Sequence, residues 1–472
     1  MYSFLLSVVA LIVGYLIYGK ITEKVFGIDE NRKTPAIANP DGVDYVAMPW
    51  WRVFLIQFLN IAGLGPIFGA IMGVMFGSAS FLWIVFGTIF AGGVHDYLSG
   101  MMSVRANGAS QSELVGMHLG NGVKQFIRGF SLILMILVGA VFVSGPAGLL
   151  ANLTPNVINV TWWIIIVFAY YILATLLPID KIIGKIYPVF GFALLFMAVG
   201  IMGAMIFNHA PIPEFTEGFA NLHPKQLPIF PIMFVSIACG AISGFHATQS
   251  PLMARCIENE KLGRRVFYGS MVAEGIVALI WAAAASSFYG SIEGLQAHVA
   301  SLGNVNAPAQ IVDQISKSWL GPVGGVLALL GVIAAPLTSG DTALRSARLI
   351  AADFLKFDQK PMSKRLIISI PIFILTFLIL QMDFSVLWRY FAWSNQTLAV
   401  FTLWAITVYL YKEQKMYLIS LLPALFMTAV TVSYILIAPE GFHLSKQISI
   451  IGGVITTILA LGLFFYKSKK QI

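Results

Sequence analysis

The chain has 472 residues, 58% hydrophobic and 11% charged, with a formal net charge of +8 and a mean hydropathy of +0.84. A soluble domain carries about 25% charged residues, so this composition excludes a water-soluble enzyme or nucleic-acid-binding module and requires a polytopic membrane protein. The two cysteines, Cys239 and Cys256, offer neither a disulfide framework nor a CxxC metal site.

Apolar runs predict thirteen all-α membrane spans, at 2–19, 53–76, 80–104, 126–150, 160–178, 184–207, 228–252, 267–289, 321–349, 366–382, 384–411, 416–438 and 447–466. The first run is read as a retained span, because Lys20 and Lys24 follow it instead of preceding it. Residues 20–52 form a loop with a polar, turn-rich stretch from Thr34 to Val46.

Span two reads NIAGLGPIFGAIMG from Asn60 to Gly73, with Gly63, Gly65 and Pro66 where the bilayer midplane would fall. Proline removes a donor and clashes one turn back, and glycine weakens helix further. Backbone freed in hydrocarbon must be satisfied by protein or a wet cavity, so this is an expected break. Span three carries His95 and Asp96 in GGVHDYLSG, towards the cytoplasmic side. Ionisable groups at depth are costly and point to function; the plainer reading is a local helix contact, or exposure near the inner face.

Span seven, PIFPIMFVSIACGAISGFHATQSPLM, is interrupted by Gly240, Gly244 and Pro251, with Ser243, His246, Thr248, Gln249 and Ser250 between. His246 is either a proton or substrate group, its ordinary titration lying near neutrality, or a hydrogen-bonding prop for unwound backbone. Glu274 in span eight could load a proton; a salt bridge to a cytoplasmic arginine is the preferred plain reading. Segment 290–320 is expected as a short amphipathic helix on the outer surface. Span nine holds PLTSGDTALRSAR, where Thr338 and Ser339 supply neutral oxygens and Asp341 a carboxylate that can pair with Arg345 at i,i+4. Span eleven adds Asn395 and Gln396, suited to hydrogen bonding or to helix adhesion. The basic run Arg255 to Arg265 reads as inside anchoring. HExxH, P-loop and GxSxG signatures are missing from the sequence, and no cofactor or metal is expected.

With the N-terminus outside and the C-terminus in the cytoplasm, 25 of the 29 Lys and Arg residues fall on cytoplasmic connections, leaving Lys225, Lys317, Arg389 and Lys446 outside. Spans two and seven then run in opposite directions. Spans 2–6 and 7–11 read as two inverted five-helix repeats, over 53–207 and 228–411, within one transporter domain. Residues 1–52 and 412–472 supply extra spans. Paired breaks in two halves point to a transporter's binding site. The expected substrate groups are Ala62, Gly63, Gly65, Gly240, Gly244, Phe245, His246, Gln249 and Asn395. The expected ion-coupling groups are Asp341, Thr338, Ser339, Glu274, His95 and Asp96. A channel or a nutrient sensor would be a different class; the sequence holds no sizeable soluble signalling domain to favour the sensor.

The segments YGKITEKVFGID, TPAIANPDGVDYVAM, NIAGLGPIFG, GGVHDYLSG, SGFHATQSP, LTSGDTALRSAR and FAWSNQTLA, from Tyr18 to about Ala399, together resemble the carbon starvation protein A family. The resemblance implies a bacterial inner-membrane protein associated with uptake of peptides, or of pyruvate with protons, under nutrient limitation. It also implies the inverted five-plus-five fold of the amino acid–polyamine–organocation superfamily. In that fold hydroxyls on the eighth core helix, here span nine, can help hold sodium, which makes Na+ the alternative to H+. Gln57 and Phe58 stand where some members carry histidines ahead of the break, so no role is carried over from those histidines.

Overall fold

The computed structural model describes residues 1–41, 45–154, 156–176, 180–303, 306–357 and 362–469; a few side chains within them, that of Thr338 included, lie outside the description. Among the described residues every regular element is helical. Part of the Thr34–Val46 stretch and the end of the expected span 160–178 fall outside the described residues.

In chain order the main helices are α1 Tyr2–Phe26, α2 Trp50–Ile61, α3 Gly65–Gly73, α4 Ala79–Arg105, α5 Gln111–Leu119, α6 Asn121–Leu153, α7 Val160–Leu176 and α8 Asp180–Phe207. They continue with α9 Gly244–Ala254, α10 Gly269–Phe288, α11 Ile292–Ser301, α12 Ala307–Ala328, α13 Ala334–Leu355, α14 Met362–Ile379, α15 Phe384–Lys412, α16 Leu418–Ile437 and α17 Lys446–Lys469. Seven described helices are long and apolar enough to cross a membrane, and nine spans result if each of two bent pairs counts as one. The expected spans 160–178, 366–382 and 384–411 are also helices, α7, α14 and α15.

The first bent pair is α2 with α3, which meet at 48°. Ala62 leaves helical geometry at φ −81°, ψ 44°, and Pro66 sits in the first turn of α3, where its missing N–H costs nothing. The expected span 228–252 is also interrupted. A wide turn at Ile229–Met233 and a three-residue helix at Phe234–Ser236 precede α9, and Ile237–Ser243 between them is not helical. Segment 290–320 holds two helical pieces instead of one: α11 and the start of α12, which kinks at Gly321 (φ 58°). That left-handed φ suits glycine. Helix α5 lies between the expected spans 80–104 and 126–150; its first turn is closed by a Ser110–Glu113 capping box.

Two compact units emerge, each assembled from distant segments. One comprises Tyr2–Ile127, Glu214–Leu279 and Ala392–Ile472. In it α1 turns Leu6, Val9, Ile12 and Leu16 outward, and α17 does the same with Ile451, Ile455, Ile458 and Leu459. Apolar stripes this long are not held in water by a monomer; they face lipid. The other unit comprises Arg128–Pro213 and Ile280–Phe391. Its helices approach through glycine: a Cβ at Gly139 would lie 2.6 Å from Leu344 Cδ2, and one at Gly340 would collide with Tyr171 Oη. The Tyr171 hydroxyl donates to the Phe142 and Pro336 carbonyls at 2.8 and 3.2 Å.

Candidate functional site

The first unit brings both interruptions together. A Cβ on Gly65 would collide with Cys239 Sγ, one on Gly73 with the Ile237 side chain, and one on Gly240 would meet Ala278 Cβ at 2.5 Å. The glycines at the breaks therefore set how closely the two segments and α10 approach. Gly244 packs against the backbone of α15 at Asn395 and Ala399. Thr88 donates to the Gly240 carbonyl at 3.0 Å and Gln396 to the Phe234 carbonyl at 2.6 Å, so side chains satisfy carbonyls around the interruption.

Asn395 closes the start of α9. Its Oδ1 accepts from the Phe245 N–H at 2.6 Å and from Ser243 Oγ at 3.1 Å, and its Nδ2 reaches Cys239 Sγ at 3.2 Å. Asn395 is a side-chain brace for unwound backbone from a neighbouring helix, in keeping with the adhesion reading. Among the described residues the start of α3 has no side-chain cap. Ala62, Gly63, Gly65, Gly240, Gly244, Phe245 and Gln249 are all buried around the two breaks, with Gln249 Nε2 donating to Thr248 Oγ1 at 3.0 Å.

Four ionisable side chains, each fully buried, form a line beside the breaks. His95 Nδ1 lies 2.7 Å from Asp96 Oδ1, and Asp96 Oδ2 lies 2.8 Å from His246 Nδ1. His246 Nε2 in turn lies 3.3 Å from Glu274 Oε2. Three separate helices, α4, α9 and α10, supply the line. The approach of α4 to the segment that leads into α10 is again steric: Cβ atoms at Gly93 and Gly100 would strike the rings of Tyr268 and Phe267, at 2.5 and 2.7 Å. Helix α4 widens to a π-helix at Gly87–Gly92, and a second π-helix, Arg264–Tyr268, precedes α10. Such bulges concentrate at functional sites. The Tyr268 hydroxyl, from the second, donates to the Ile89 carbonyl of the first at 2.6 Å.

Three plain readings of the sequence need correction. Glu274 does not pair with a cytoplasmic arginine; its neighbour is His246, because both helices turn these residues into one interior. His95 and Asp96 are not exposed near the inner face. His246 does not prop unwound backbone with its ring, which lies between two carboxylates. Asp341 and Arg345 do pair, Nη2 to Oδ2 at 3.4 Å, in the second unit. There Ser339 Oγ donates to the Ala335 carbonyl of its own helix at 3.2 Å, and the Thr338 side chain lies outside the described residues.

The sequence marked Gln57 only as a departure from the family's histidines and missed its contact: Nε2 donates to Ser250 Oγ at 3.3 Å while that hydroxyl donates to the His246 carbonyl at 3.0 Å. It also passed over Glu260, buried in the loop after α9; the signal available was an acidic residue inside a basic run.

A family model described as carbon starvation protein CstA matches residues 1–157, 154–323 and 307–434. The chain belongs to this family. An uncharacterized membrane protein of Haemophilus influenzae is 45% identical over 62% of this chain and 92% of its own length. A peptide transporter CstA of Bacillus subtilis is 26% identical over 96% of this chain and 93% of its own. A pyruvate/proton symporter, BtsT of Escherichia coli, is 28% identical over 57% of this chain and 48% of its own. A crystal structure of an Eremococcus coleocola manganese transporter, in complex with an aromatic bis-isothiourea substituted compound, matches with a TM-score of 0.53 and 14% identity, over 92% of this chain and 99% of that one. That likeness is one of fold. As a member of a family whose named relatives are transporters, and with several helices long and apolar enough to cross a membrane, the chain is a multi-pass membrane transporter and not an enzyme.

Proposed function

We propose that the protein is a proton-coupled importer of small organic nutrients, peptides or pyruvate-like carboxylates, in a bacterial inner membrane. The observation that carries this reading is the His95–Asp96–His246–Glu274 line, buried beside two meeting helix interruptions. A buried chain of acids and imidazoles is the usual equipment of a proton relay in membrane transporters. Family relatives named as peptide transporters and as a pyruvate/proton symporter support the substrate class and the ion.

Substrate would lie between the two breaks. Helix N-termini carry partial positive charge and attract carboxylate. Of the two new N-termini, α9 is occupied by Asn395 while α3 lacks a side-chain cap, so a substrate carboxylate belongs at Gly65. In this reading spans 2–6 and 7–11 form the inverted repeats, the N-terminus is outside and the C-terminus cytoplasmic, and one bundle rocks against the other. Expression would rise on carbon starvation.

Uptake by proteoliposomes of labelled pyruvate, tripeptides and amino acids under an imposed pH gradient tests the reading. Accumulation of a carboxylate-bearing probe without sodium is the expected outcome. Strict sodium dependence would reverse the choice of ion, and steady conductance without counterflow would make the protein a channel.

A further inference from the structure

The line of four groups is not symmetrical, and its hydrogen bonds separate the roles of its two carboxylates. Asp96 has both oxygens engaged, Oδ1 with His95 Nδ1 and Oδ2 with His246 Nδ1. Ionised, Asp96 accepts from both imidazoles at once when each Nδ1 carries its proton. Glu274 is the opposite case. It is fully buried, yet among the described residues neither of its oxygens has a hydrogen bond of good geometry, and neither has His246 Nε2 beside it. A buried polar group left unpaired costs about 1–3 kcal/mol, more when charged. One proton placed between His246 Nε2 and Glu274 Oε2, 3.3 Å apart, completes the missing hydrogen bond from either side.

Charge balance leads to the same assignment. The charged groups acting on Glu274 are His246 and Asp96, with the Cys239 thiol also facing the imidazole. Among the described residues neither Glu274 nor His246 is paired with a lysine or arginine. The three groups Asp96, His246 and Glu274, with the imidazole cationic and both carboxylates ionised, sum to one negative charge; a proton on Glu274 cancels it. Burying an unpaired charge is far more costly than burying a neutral acid.

Resting on the proton-coupled reading above, we infer that the transported proton is held at Glu274 against His246 Nε2, while Asp96 is a fixed counter-charge that orients both imidazoles and does not exchange. The proton arrives from outside water when the site opens outward and leaves to cytoplasmic water when it opens inward; no bond to substrate forms or breaks. His246 lies in the first turn of α9, directly after the Ile237–Ser243 interruption. Loading and emptying Glu274 therefore changes a contact made from the first turn of the half-helix.

Infrared difference spectra of the full-length protein in lipid, taken between acidic and alkaline buffer, test the assignment without any substrate. The expected spectrum contains a protonated-carboxyl C=O band that moves to lower frequency with 13C-labelled glutamate and stays put with 13C-labelled aspartate. Glu274→Gln removes the band; Asp341→Asn leaves it. A band that follows the aspartate label, one that survives in Glu274→Gln, or the absence of any such band overturns the inference. Transport supplies a separate arm. A pH gradient of one unit supports about tenfold accumulation per coupled proton. In Glu274→Gln this falls to equality across the membrane, while counterflow exchange of pyruvate or tripeptide persists. If wild-type protein shows no response to pH, the proposed function fails, whatever the spectra show.

Discussion

Arg105 grips Glu260 with two prongs, Nε to Oε1 at 3.1 Å and Nη2 to Oε2 at 3.0 Å. Glu260 is fully buried, and the Asp29 N–H adds a third bond to it at 2.8 Å. Arg105 also donates to the Gly27 carbonyl at 2.6 Å and lies 4.0 Å above the Phe26 ring. Arg105 ends the helix that carries His95 and Asp96; Glu260 lies in the loop that follows the helix of His246. Two of the three helices of the buried line are thus tied at one end through Glu260, which Arg32 also approaches at 3.9 Å.

Breaking a buried pair from one side leaves the other charge uncompensated and costs about 3–5 kcal/mol. Arg105 is partly exposed, so Glu260→Gln belongs at the lower end, about 3 kcal/mol. Thermal unfolding in detergent should show a clear drop in Tm. Arg105→Lys keeps the charge but loses the fork, and should fall between wild type and Glu260→Gln. Equal Tm for all three would mean the pair holds nothing.

The interruptions were legible in the sequence because they are written in backbone chemistry. Gly63, Gly65 and Pro66 disfavour helix wherever they sit, and the structure bends there by 48°. The line of ionisable groups was legible only as separate members. Asp96 and His246 are 150 residues apart, and what joins their helices is the close approach at Gly87 and Gly92, where an added Cβ would strike Ala241 just ahead of α9. Helical periodicity carries no signal for such a match. Glu260 was hidden for a different reason: among the arginines and lysine of 255–265, Glu258 and Glu260 both read as solvated surface, and only burial separates the exposed Glu258 from the buried Glu260.

The meeting of the two interruptions predicts a compensating pair. Gly65→Ala forces a methyl into Cys239, an overpacking that costs about 1–3 kcal/mol. Cys239→Gly empties the space the methyl needs. The double variant should regain most of the stability lost in Gly65→Ala, with a coupling above about 0.5 kcal/mol in a double-mutant cycle. Strict additivity in the melting data would mean the two segments do not touch there.

The Tyr268–Ile89 contact predicts a loss confined to one hydroxyl. Tyr268→Phe keeps the ring that fills the notch at Gly93 but removes the donor to the Ile89 carbonyl. The buried carbonyl is left short of a partner, at a cost of about 1–2 kcal/mol. Tyr268→Ala removes ring and hydroxyl together and should cost about 3–5 kcal/mol, as for other large aromatic truncations. Denaturation of the purified variants checks the order. A Phe variant as damaged as the Ala variant would put the whole effect in the hydroxyl and none in the packing.

At the other end of α1, Glu214 caps the first turn from a distant loop. Its carboxylate accepts from the Tyr2 and Ser3 N–H groups, each at 2.8 Å, and from Ser3 Oγ at 2.5 Å. Burial pushes this carboxyl up, but hydrogen bonds from the first three residues outweigh it and hold the group at about 2, below its ordinary 4.5. A depressed carboxylate stabilises the fold above its unfolded pKa and stops doing so as pH falls through its folded one. The anchor should therefore be intact at pH 7 and lost progressively between about 4.5 and about 2. Loss of a helix cap costs about 1 kcal/mol, so in Glu214→Ala the Tyr2 and Ser3 amides should exchange hydrogen roughly fivefold faster at pH 7 than in the wild type. The wild-type protein should approach the variant only below about pH 4.5, and equal exchange at neutral pH would show that Glu214 does not hold α1.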